Sequence, residues 1–141
     1  MLTLEHQDGD IQYELEKGGF VVVNSKLYFS IETKAINEDS FPDCYLFALD
    51  GYPLSGSLES SRIEITTNPQ DECPNVHVYT TFHASEVQAS IELKVISDNE
   101  IEVALNVLSE DVNYYNEKAK PNLFKGVVKL SVKTLSEMWL P

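Results

Sequence analysis

The first residues in this chain that could do chemistry are two imidazoles and a phenol on one extended run. In Val76-His77-Val78-Tyr79-Thr80-Thr81-Phe82-His83, period-two alternation puts His77, Tyr79, Thr81 and His83 on the face opposite Val76, Val78, Thr80 and Phe82. A metal site or an acid–base pair would need the two imidazoles together. An extended strand separates residues six positions apart by about 20 Å, beyond the reach of one ion. The row therefore reads as the polar outer face of a strand.

Cys44 and Cys73 are the other reactive side chains. They have neither CxxC nor metal-ligand spacing, and two cysteines are too few for a disulfide framework. They read as reduced thiols; in a secreted protein they would form the one possible intrachain bridge. No GxSxG, HExxH, P-loop, GxGxxG or EF-hand pattern occurs, and neither cysteine has a plausible base nearby. With 23 carboxylates in the chain, closeness in sequence singles out no glycosidase-like pair. The expectation is a protein that is not an enzyme and takes no cofactor.

Charge points to binding instead. The 141 residues carry 23 acids and 10 bases, a formal charge of −13. Residues 1–75 hold 14 of the acids and 4 of the bases. Such a field repels the phosphates of nucleic acid and of anionic membranes, and it attracts basic proteins. Two segments are candidate contacts. Glu38-Asp39-Ser40-Phe41-Pro42-Asp43 is either a solvated connection or an anionic edge in which Glu38, Asp39 and Asp43 face a cationic partner. The polar stretch 113–122 carries Tyr114 and Tyr115, a residue type that gives large contact area at small entropic cost. Together they suggest an acidic protein-binding domain that neutralises a basic partner, such as an immunity or antitoxin protein set against a nuclease-type toxin. Two other readings stay open. One is a small-ligand barrel lined by Tyr13, Tyr28 and Tyr45; the other is an assembly subunit using an open sheet edge. The start of the chain has no basic and then apolar leader, and no run of about 18 apolar residues occurs, so a cytoplasmic location is expected.

The elements that must position these residues are strands. Alternation persists almost end to end, and no window shows helical spacing. Asp8-Gly9 suits a two-residue type I′ turn, which would pair His6 with Ile11, Leu4 with Tyr13 and Leu2 with Leu15. Gly18-Gly19 reads as a break before Phe20-Val21-Val22-Val23, and Leu27, Phe29 and Ile31 alternate after Asn24-Ser25. Cys44-Tyr45-Leu46-Phe47-Ala48-Leu49 is apolar on both faces, as expected of a central strand covered on both sides. A three-residue loop, Ser97-Asp98-Asn99 with Asn99 left-handed, pairs Val95 with Ile101, Leu93 with Val103 and Ile91 with Leu105. The last strand, about 123–134, turns Val128, Leu130 and Val132 inward and Lys125, Lys129 and Lys133 outward. Leu135, Met138, Trp139 and Leu140 are expected to fold back over an open end of the core as one helical turn. The whole reads as a single all-β domain, 1–141, an antiparallel β-sandwich or closed barrel of about ten short strands joined mainly by hairpins.

Overall fold

The structure, a computed structural model, describes residues 2–6, 9–68, 70, 74–81, 83–110 and 120–141. Among them the chain forms nine strands: β1 (Leu2–Glu5), β2 (Ile11–Val23), β3 (Lys26–Ala35), β4 (Cys44–Pro53), β5 (Ser61–Thr67), β6 (Val76–Tyr79), β7 (Val87–Ser97), β8 (Glu100–Ser109) and β9 (Asn122–Ser131). They make one antiparallel sheet in the order β5-β7-β8-β9-β1-β2-β3-β4-β6. The sheet curls until β6 comes against β7, giving a nearly closed barrel. The inward positions of every strand fill it, with Tyr13, Tyr45, Phe29, Phe47 and Phe124 the largest fully buried side chains. At its centre Tyr45 stacks on Phe124 with ring centroids 3.8 Å apart, and Tyr13 meets Phe124 edge-on at 5.9 Å.

Several local expectations change in detail. The first hairpin pairs Leu4 with Ile11 and Leu2 with Tyr13, two residues from the expected register. The turn closes earlier, by a 2.9 Å bond from the Gly9 N–H to the His6 carbonyl, with Gly9 at φ +120°. A slip of two keeps every side chain on its face, so the alternation could not tell the two registers apart. In the β7–β8 hairpin the pairs Val95–Ile101, Leu93–Val103 and Ile91–Leu105 form as expected. The parity is kept by a bulge at Ile96 ahead of a tight Asp98-Asn99 turn, and Asn99 is not left-handed.

Gly18 and Gly19 do not break a strand; β2 runs through them. They mark a close approach. β1 separates β2 from β9 only over its own length, and beyond it β2 and β9 converge, Phe20 bridging Val132 in parallel. A Cβ on Gly18 would lie 2.8 Å from Leu130 Cδ2, and one on Gly19 would lie 2.2 Å from Lys133 Cγ. Neither site has room for a side chain.

The segment after β9 makes the expected helical turn, a 3-10 helix over Leu135–Glu137, but covers a wall of the barrel rather than its end. Its route is set at both ends. Lys133 lies on Gly19, and its N–H donates to the Phe20 carbonyl at 3.0 Å. Trp139 lies against Tyr79 and His83, with ring centroids 6.4 and 6.3 Å away. Between these points runs one outward row across four strands, Gly19–Ser30–Ala48–His77. Ser30 and Ala48 are fully buried although they point away from the core. Met138, itself buried, stands outside the core cluster. The reason is steric: Gly19, Ser30 and Ala48 are small, which leaves room for a segment to pass over that part of the row. β4 is thus covered on both faces, as its sequence suggests, although it lies one strand from the sheet edge. Val132, expected inside, is 42% exposed because β9 ends at Ser131.

Candidate functional site

The connection between β3 and β4, residues 36–43, is where acidic sequence meets exposed apolar side chains. Backbone bonds hold it at both ends: the Ala35 N–H donates to the Asp43 carbonyl at 2.8 Å and the Ile36 N–H to the Gln12 carbonyl at 3.0 Å. Asn37 turns it, its side-chain oxygen accepting the Asp39 N–H and its carbonyl the Ser40 N–H, both at 3.0 Å. The buried Tyr13 hydroxyl donates to the Pro42 carbonyl at 2.5 Å. Burial first, then Cys44 and Asp43, push the Tyr13 phenol well above its usual range, so it stays a donor. The loop so held carries Ile36 and Phe41, each 50% exposed, among the exposed Glu38, Asp39 and Asp43.

Beside the loop lies a groove of about 430 Å³ between β2 and β9, walled by Leu2, Tyr13, Leu15, Ile36, Val127 and Val128, with Glu14 and Lys129. Leu15 is 39% and Val127 49% exposed. With Leu2 paired to Tyr13, Leu15 lies two positions past the last described pair between β1 and β2. Carboxylates gather at the same end of the sheet. Burial and then Asp43 hold the Cys44 thiol above its ordinary range, and Glu16 adds to this. The thiol therefore stays protonated, a poor nucleophile. Cys44 is free, its sulfur 3.8 Å from the Thr80 carbonyl oxygen. An apolar groove edged by Glu14 and Lys129, beside a loop that exposes Glu38, Asp39 and Asp43, is an arrangement suited to binding.

Of the residues singled out in the sequence, Glu38, Asp39 and Asp43 come together with Ile36 and Phe41, while Tyr114, Tyr115 and Cys73 lie outside the described residues. Leu15 read as a core position in the alternation of β2, and Ile36 and Val127 gave no sequence signal of their own, apart from Val127-Val128 breaking the alternation of β9. Tyr13, Tyr28 and Tyr45 do not share a pocket. Tyr13 and Tyr45 flank Phe124 in the core, and Tyr28 points outward beside Gly51.

The two imidazoles are a correction. The strand does not run on from His77 to His83: β6 stops at Tyr79, the chain reverses, and His83 pairs antiparallel with Tyr79 while the Ala84 N–H donates to the Val78 carbonyl at 2.9 Å. His77 and His83 thus line one cleft at the seam between β5 and β6. His77 Nε2 is 3.7 Å from Asp50 Oδ2. Burial is the main cause holding the His77 pKa below its ordinary value; Asp50 opposes this and His83 adds to it. Among the described residues no group of three or more His, Cys, Asp or Glu is placed to hold a metal ion. No described helix is long and apolar enough to cross a membrane. Compared with family models, curated proteins and solved structures, the chain finds no match.

Proposed function

We propose that this chain is an acidic protein-binding domain that docks on and neutralises a basic protein, in the manner of an immunity protein covering a nuclease-type toxin. The observation that carries the reading is the pinned loop 36–43, which presents Ile36 and Phe41 half-exposed among Glu38, Asp39 and Asp43 beside an apolar groove. Interfaces of this kind have an apolar centre that supplies affinity and a charged rim that steers encounter. The net charge of −13 extends the rim's field over the surface.

The test is capture of basic proteins from a lysate of the source organism at about 50 and 300 mM salt, with three baits: wild type, E38Q/D39N/D43N, and I36D. One basic protein should be retained by wild type at low salt and weakened at high salt. The charge variant should slow its association, and I36D should speed its release. Recovery of no basic protein, or of one that all three baits hold equally at both salts, would sink the reading.

A further inference from the structure

The segment 134–140 lies on the wall of β2, β3, β4 and β6 as a ligand lies in a groove. The floor is the row Gly19–Ser30–Ala48–His77, and the far end is an aromatic corner formed by Tyr79 and His83, their ring centroids 4.8 Å apart. Met138 is the buried side chain of the segment, and Trp139 fills the corner.

Two features set this segment apart from a strand of the fold. Past Lys133, the backbone bonds among the described residues are internal to it, Glu137 N–H to the Thr134 carbonyl and Met138 N–H to the Leu135 carbonyl. The Glu137 carboxylate also accepts from the Thr134 N–H and hydroxyl, at 3.0 and 2.9 Å, which closes the turn on itself. Side chains alone therefore hold a preformed unit to the wall, and it can leave without breaking a ladder. The second feature lies beneath it: Ser30 Oγ is fully buried and has no hydrogen-bond partner. A buried hydroxyl left unmatched is a cost that the present occupant does not relieve. An occupant offering an acceptor there would fit better.

We infer that this wall is a peptide-recognition groove which the chain fills in cis with its own 134–140 segment. In trans it takes a short peptide of another protein, carrying methionine followed by an aromatic residue and an acceptor for Ser30. Displacement regulates access, because a competitor must overcome the high effective concentration of a tethered ligand.

The experiment uses the full chain carrying Met138→Asp, with near-UV circular dichroism to report the packed core. A fluorescein-labelled peptide of residues 133–141 is titrated and followed by anisotropy. The folded M138D chain should bind it about tenfold more tightly than wild type, in which the tethered copy competes. Adding Ala48→Leu should abolish that binding by filling the floor. Three results would overturn the inference: a folded M138D chain that binds no better than wild type, binding that survives A48L, or loss of the core in M138D, which would make the segment part of the fold. A wild-type dimer that M138D dissolves would identify a second copy as the occupant and overturn the choice of a foreign peptide.

Discussion

Replacing Gly19 with alanine adds one methyl group where the new Cβ would lie 2.2 Å from Lys133 Cγ, 2.8 Å from Lys133 Cβ and 3.2 Å from the Ser131 carbonyl oxygen. The backbone itself has no objection, since Gly19 is not among the glycines with positive φ. With open space above it, glycine to alanine in a strand would stabilise by about 0.5–1 kcal/mol through the unfolded chain. The clash reverses that sign. Neither Lys133 atom is the free end of a side chain, so the root of the 134–140 segment must move, and overpacking of this kind costs about 1–3 kcal/mol. G19A should therefore lower stability, while in a Lys133→Gly background, where both clashing atoms are gone, it should be neutral or stabilising. The coupling across this cycle is then about 1–3 kcal/mol. Urea melts of the four proteins, followed by far-UV circular dichroism and by Trp139 fluorescence, measure it if their slopes agree. G19A matching or exceeding wild-type stability, or losing the same amount with and without K133G, would refute the argument that this glycine exists for close approach.

Two further outcomes follow from single contacts. Tyr13→Phe leaves the Pro42 carbonyl without its donor, so the urea midpoint should fall by the equivalent of about 1–3 kcal/mol, and amide exchange should quicken over residues 36–43; unchanged exchange there would remove Tyr13 as the anchor of the loop. His77 is held below the ordinary histidine value of 6.5, so the unfolded chain takes up this proton more readily than the folded one. Its contribution is thus present above about pH 6.5 and is lost as pH falls toward the folded pKa. His77→Gln should flatten the fall in urea midpoint between about pH 7.5 and 5.5, and parallel curves for the two proteins would show that His77 is not its source.

What the sequence determined by itself was parity. Side chains alternate along a strand with a period of two, so the inward faces of β2, β7, β8 and β9 and the double covering of β4 could be read from residue types, and they survived a register slip of two at Leu2–Tyr13 and a bulge at Ile96. The acidic stretch holding Glu38, Asp39 and Asp43 was legible for the same local reason, because charge and turn chemistry are written in neighbouring residues. Only the tertiary structure decided what lies across from what. Gly18-Gly19 resembles a turn locally and becomes a close approach once β9 is laid beside it. Ser30 looks like a solvent-facing position and is fully buried on the outward row between Gly19 and Ala48, and Leu15 looks like core and is 39% exposed. His77 and His83 were separated by the assumption of one straight strand, and a reversal after β6 brings them into one cleft. In each case the deciding contact joins residues distant in sequence, whose pairing depends on packing volume and chain path, and no local pattern encodes either.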